Sequence, residues 1–552
     1  LKENPDSKKR GTIAQKVADL YEMGMDAERI NNSGISPVLP MIKKVEESST
    51  ENLTDIIAWM HLGIASPFFG TGVGPDAGNS DINIMHIGEA GLGLGDRDYY
   101  LEKNERNEEV LKAYEIYIKK ILSLAGYDTE VQERVWNTLI RIETEFARNK
   151  MTREERRNPL ARYNVMNIDE IKEKYPNIEW ERYFKGIGID KIEKANVVSP
   201  KFLDFLNSFL PSLSEREIKD LLILDLIESA GASIGDDFYE AAFEFDKVMS
   251  GVEEMEPRWK RAMGMANAMF GEAVGKLYVE KYFPKENKEY MLNLVENLRK
   301  ALGKHISNLS WMTEDTKKKA LEKLEAFKVK IGYPDKWKDY SEIEIDPSLS
   351  YQENILRASV WFAKDNYSKL DKPVDKEEWH MYPQTVNAYY NPTSNEICFP
   401  AGILQAPYFD VNADDALNYG GIGVVIGHEM THGFDDSGRK FDMEGNLNEW
   451  WQKEDEEKFN SLADRLVEQF DAVEVAPGVH ANGRFTLGEN IADQGGLRVA
   501  MTAYLDSREK NDISEKDHNN IIDGFSPEQR FYLSYANVWA DNIRKEEILD
   551  RT

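Results

Sequence analysis

Gly427-His428-Glu429-Met430-Thr431-His432-Gly433 is the segment of this chain whose residue types and spacing can do chemistry. On a helix, His428 and His432 share one face, one turn apart. Both imidazoles can then reach a single zinc ion at about 2.0–2.1 Å. Glu429 is rotated from them by one position, towards the open coordination position, where a carboxylate can take a proton from water. The plain alternative is an amphipathic helix with two unconnected histidines, in a chain with only 8 of them. The run before the motif is apolar (Tyr419, Ile422, Val425, Ile426) and carries Gly420, Gly421, Gly423 and Gly427. Each glycine costs a helix about 1 kcal/mol against alanine. Their density predicts close packing against another element, or substrate running past. Gly433 predicts the helix end.

A catalytic zinc needs a third protein ligand and an open fourth position. Glu489 is the candidate, in Thr486-Leu487-Gly488-Glu489-Asn490-Ile491-Ala492-Asp493. Glu489 and Asp493 are four apart and share a helix face. Glu489 can bind metal while Asp493 accepts the ring N–H of a ligating histidine, which fixes its tautomer. Asp435, one turn past His432, is a second outer partner. Most of the 99 acidic residues must be surface carboxylates. The histidine pair and the flanking Gly488, Gly495 and Gly496 set these two apart.

Further marks are Val386-Asn387-Ala388-Tyr389-Tyr390, Phe399-Pro400-Ala401-Gly402-Ile403-Leu404-Gln405, Asn418-Tyr419-Gly420-Gly421-Ile422-Gly423, Phe434-Asp435-Asp436-Ser437-Gly438-Arg439 and Leu487–Gly496. With these, nearly the whole chain resembles the neprilysin and endothelin-converting-enzyme family of zinc metallopeptidases, in its bacterial oligoendopeptidase-O (PepO-like) branch. The resemblance implies His428, His432 and Glu489 as zinc ligands, one zinc per chain, Glu429 as general base and Asp493 as the carboxylate orienting a zinc-bound histidine. It implies that Asn387 and Ala388 hold the substrate backbone as an added strand. It places Ile403, Tyr408, Val424, Val425 and Trp539 where the family builds a hydrophobic S1′ pocket. The activity implied is endopeptidase cleavage of oligopeptides on the amino side of hydrophobic residues.

The resemblance also implies segments before Leu1 and after Thr552, so the expected partners are oligopeptide substrates and those missing N- and C-terminal segments of the same polypeptide. The location implied is extracytoplasmic in a bacterium (periplasmic, secreted or lipid-anchored), with a cytoplasmic one left open. Two other readings stand beside it. One is an aminopeptidase-type zincin, for which no acidic anchor motif is visible. The other is a zinc-stabilised peptide-binding protein without turnover in this form.

The elements that must position these residues divide in two. Residues 1–330 read as a helical cap, with apolar three- and four-residue spacing in Asn107–Ala125 and Glu289–Leu309. Residues 331–552 read as a thermolysin-like zinc peptidase domain that lacks its C-terminal part. There Val386–Tyr390 and Glu396–Pro400 are strand-like, and Ala413–Gly433 is a glycine-rich helix. The fold class expected is mainly α (α+β), a large helical domain capping a zincin catalytic domain. Gly91-Leu92-Gly93-Leu94-Gly95 follows the strand-like Ile82–Ile87 and superficially matches a dinucleotide loop, but Asp96 and Asp98 would repel a pyrophosphate and the third glycine is missing. It reads as loop punctuation. Arg153, Arg156, Arg157 and Arg162 read as an internal salt-bridging face.

Composition removes several classes. The 552 residues carry 69 basic and 99 acidic side chains, a formal charge of −30. That field repels nucleic acid and anionic membrane surfaces. No apolar run is long enough to span a bilayer. The single cysteine, Cys398, excludes an intrachain disulfide and a multi-cysteine metal site, and reads as a small buried hydrophobe.

Overall fold

The computed structural model describes residues 9–510 and 520–551. The N-terminal part is mostly helical. Helix α1 (Glu105–Leu124) starts where the Asn104 side chain accepts from the Asn107 N–H, and it buries Val110, Tyr114, Ile118, Ile121 and Leu122. Helix α2 (Thr129–Asn149) is capped by Asp128 and buries Val135, Leu139, Ile142 and Phe146. Both stripes follow the three- and four-residue spacing read from the sequence. A four-stranded sheet interrupts this region, which read as helical apart from the strand-like Ile82–Ile87. It comprises β1 (Phe69–Asp76), β2 (Asn79–Glu89), β3 (Val165–Asn167) and β4 (Lys194–Val197), in the order β1-β2-β4-β3. Gly91–Gly95 forms a loop, in which the Gly93 N–H donates to Glu143.

The C-terminal part is built on a three-stranded sheet of β5 (Lys328–Gly332), β6 (Tyr389–Asn391) and β7 (Glu396–Pro400), ordered β5-β7-β6. β5 runs parallel to β7 and β6 antiparallel to it. β6 is therefore an edge strand. Cys398 is buried in β7. Helix α3 (Lys285–Ser307) follows Pro284 and buries Met291, Leu294, Val295, Leu298, Ala301 and Leu302. With α4 (Glu314–Glu325) it joins an apolar core that runs from Val279 to Phe531 and includes Ile397, Phe399, Ile422, Val424 and Ile426. A separate core, from Val38 to Tyr367, fills the helical part. Among the described residues no helix is long and apolar enough to cross a membrane.

Two helices lie at the centre of the second core. Asp415–Asn418 leads through one wide, π-helical turn, Tyr419–Gly423, into α5 (Val424–His432). The glycines of this run explain its position. A Cβ on Gly420 would lie 2.1 Å from the Phe531 carbonyl oxygen, and one on Gly421 2.4 Å from that of Tyr408. Helix α6 (Leu487–Lys510) packs against α5 with no side chain between them at the crossing. A Cβ on Gly427 would meet the Gly496 carbonyl oxygen at 2.8 Å, and one on Gly496 would meet the His428 nitrogen at 2.6 Å. Backbone cannot yield as a side-chain tip can. Gly496→Ala should therefore part the two helices and destabilise the fold by about 1–3 kcal/mol, read as a lowered thermal midpoint. An unchanged midpoint would show that the crossing tolerates the methyl group.

Candidate metal centre and its relatives

The α5–α6 crossing brings two distant pairs of side chains together. Nδ1 of His428 lies 2.8 Å from Oδ1 of Asp493, and Nδ1 of His432 lies 2.8 Å from Oδ2 of Asp435. A carboxylate only accepts, so each Nδ1 carries the proton and each Nε2 is left with its lone pair. The two Nε2 atoms face one another at 2.9 Å. Lone pairs so close are stable only with a cation shared between them, either a proton or a metal. Oε2 of Glu489 lies 3.4 Å from Nε2 of His428 and 3.5 Å from Nε2 of His432. A tetrahedral ion with ligands at about 2.0–2.1 Å spaces its donors by about 3.3 Å, so these three fit a zinc ion. Asp435 is fixed in turn, its Oδ1 accepting the backbone N–H groups of Ser437 and Gly438 at 2.8 and 2.6 Å.

The electrostatics favour positive charge here. Burial opposes protonation of both imidazoles. The neighbouring carboxylates nevertheless push both up, Asp493 and Glu489 raising His428 to about 9 and Asp435 and Glu489 raising His432 to about 10. The two imidazoles beside it hold Glu489 well below the usual carboxylate range. Glu429 behaves oppositely. Burial raises it, against the pull of His428, His432 and the Tyr390 backbone N–H. A carboxylate raised in this way is a better base near neutrality. Asp493→Ala should weaken zinc affinity by about 10–100-fold, measured by chelator competition. Unchanged affinity would mean that Asp493 does not orient His428.

A cavity of about 540 Å³ opens above these groups, between the two parts of the chain. Asn387, Ala388 and the edge strand β6 line one side, and Arg157, Pro159 and Arg162 the other. Ile403, Val424 and Val425 are buried in the core under α5, Tyr408 is partly buried against it, and Trp539 is exposed. None of these five lines the cavity. Three of the four arginines form the ion pairs expected of them, Arg153 and Arg156 with Asp96 and Arg157 with Asp436. The last of these joins the helical part to the loop after α5. Sequence reasoning missed that link, and it missed the cavity walls formed by Phe441 and Pro392. Nothing in their local sequence marks them, because the wall exists only once the loop has folded back.

Models of peptidase family M13 match residues 1–334 and residues 387–552. The chain belongs to peptidase family M13. An endothelin-converting enzyme homolog of Locusta migratoria is 34% identical over 97% of this chain and 77% of its own length. A neutral endopeptidase of Lactobacillus helveticus is 33% identical over 97% of this chain and 80% of its own. The crystal structure of the Mycobacterium tuberculosis zinc metalloprotease Zmp1 in complex with an inhibitor superposes with a TM-score of 0.92, at 34% identity over 98% of this chain and 82% of that one. The M13 chain described here is a zinc metalloendopeptidase, mostly helical, with a helical domain and a zincin catalytic domain, as its sequence led us to expect.

Proposed function

We propose that His428, His432 and Glu489 hold one zinc ion per chain and that Glu429 is the general base of peptide hydrolysis. The observation that carries this is the convergence of the two Nε2 atoms and Oε2 of Glu489, with both Nδ1 atoms already engaged by carboxylates. A zinc ion held by these three residues would supply Lewis acidity to a water molecule and to the scissile carbonyl. Glu429, buried beside the pair, takes a proton from that water as its oxygen bonds to the carbonyl carbon. It gives the proton to the amide nitrogen as the C–N bond breaks. Asp435 and Asp493 hold the imidazoles in the tautomer this requires. Substrate pairs with the free edge at Asn387 and Ala388, leading into β6, as an added strand.

We further propose cleavage of oligopeptides on the amino side of hydrophobic residues. Val425 lies one turn before Glu429 on the same helix face and Val424 one turn before His428. Ile403 and Tyr408 pack in the same core behind that helix, while the apolar side chains that line the cavity itself are Ala388, Pro392 and Phe441. The test is mass-spectrometric mapping of cuts in a mixed peptide library. The expected result is cleavage before Phe, Leu, Ile or Val. Cuts without regard to the following residue would overturn the specificity.

A further inference from the structure

Helix α4 carries Lys317, Lys318, Lys319 and Lys323. Lys323 is 1% exposed, among the largest fully buried side chains described. Its Nζ donates to the carbonyl oxygens of Gly433, Gly438 and Phe441 at 2.7, 2.8 and 2.7 Å. The rings of Tyr390, Phe434 and Trp450 surround it, with centroids 5.8, 5.6 and 5.9 Å away. An ammonium group has three donors, and all three are used. A buried charge is retained only where such partners meet it.

The three acceptors have one thing in common. All belong to the segment 433–441 that leaves α5 directly after His432. That segment carries Asp435, whose Oδ2 meets His432 Nδ1 and whose Oδ1 accepts the Gly438 N–H. Gly438 is thus gripped on both sides, its carbonyl by Lys323 and its N–H by Asp435. The same lysine also reaches the edge strand. Its backbone oxygen accepts from Asn395 Nδ2 at 3.1 Å, and Asn395 Oδ1 accepts the Tyr390 hydroxyl at 3.1 Å.

We propose that Lys323 is a positioning residue of the zinc site. Its ammonium pins the loop that aims Asp435, and Asp435 aims His432. A core hydrophobe of the same length would fill the space but leave three buried carbonyls without donors. The loop would then turn them towards water, and Asp435 would move with it. The inference rests on the ligand assignment proposed above.

The test compares zinc affinity, by chelator competition, with the thermal midpoint of the metal-free protein. Lys323→Met should weaken zinc binding by about 10–100-fold, as loss of an outer partner does. Leu298→Ala, a cavity in the same core away from the loop, should lower the midpoint and leave affinity within about twofold. In an Asp435→Ala background, Lys323→Met should change affinity by no more than about twofold, because both act through one path. Lys323→Met with wild-type affinity, or full additivity with Asp435→Ala, would overturn the proposal. Should Lys323→Met not fold, Lys323→Gln decides in its place: weakened affinity supports the role and wild-type affinity overturns it. Zinc retained by His432→Ala would instead mean that the ligand assignment has failed, a separate outcome.

Discussion

Glu429→Gln should abolish turnover while leaving the metal in place. The amide has nearly the size of the carboxylate, so the buried pocket next to His428 is preserved. It cannot accept a proton from the attacking water. General-base assistance contributes about 10²–10⁴-fold to such reactions, and kcat should fall by at least that range. KM should move little, because the proposed hold on the substrate strand is by Asn387 and Ala388 and Glu429 acts in the chemical step. The measurement is kcat and KM on a quenched fluorogenic peptide with a hydrophobic residue after the scissile bond. Near-normal kcat would remove Glu429 from the mechanism and leave the base to be found elsewhere in the cavity.

His432→Ala should cost at least as much by a different route. It removes one of three converging donors, and it strands Asp435, whose Oδ2 loses the Nδ1–H partner at 2.8 Å. Two donors at 3.4 Å, His428 and Glu489, do not make a tight site alone. Turnover should fall to that of the wild-type protein stripped with a chelator. Added zinc should restore the stripped wild type and fail to restore the variant. This contrast separates loss of metal from loss of base, since zinc should rescue neither Glu429→Gln nor His432→Ala, but only the former should still contain it. Rescue of His432→Ala by micromolar zinc would assign the third ligand to another residue.

Much of this centre was legible because helical spacing is a local property. His428, Glu429 and His432 lie within one turn and a half, and Glu489 with Asp493 repeats the same four-residue step. The glycines before His428 predicted close packing against another element or a passing substrate, and Gly427 against Gly496 is such a packing. Asp435 was readable for the same local reason. Long-range contacts were not. Lys323 stands in a run of lysines that reads as a solvated face. Its burial is decided by a loop more than a hundred positions away. Of the four-stranded sheet only β2 was legible, at Ile82–Ile87; β1 is the glycine-rich Phe69-Gly70-Thr71-Gly72-Val73-Gly74, without apolar alternation, and β3 and β4 have only 3 and 4 residues. The five residues assigned by resemblance to an S1′ pocket illustrate another limit. Position along the chain places Val424 and Val425 on α5, but it could not say whether their side chains end in core or in cavity.

The central claim is that two imidazoles and one carboxylate, His428, His432 and Glu489, hold a single catalytic zinc. Elemental analysis of purified wild-type protein alongside Glu429→Gln, His432→Ala and Glu489→Gln tests it most directly. About one zinc per chain is expected in the wild type and in Glu429→Gln, as a site of three protein ligands with one open position holds one ion. A large loss is expected in His432→Ala and in Glu489→Gln. Equal zinc content in all four proteins would contradict it.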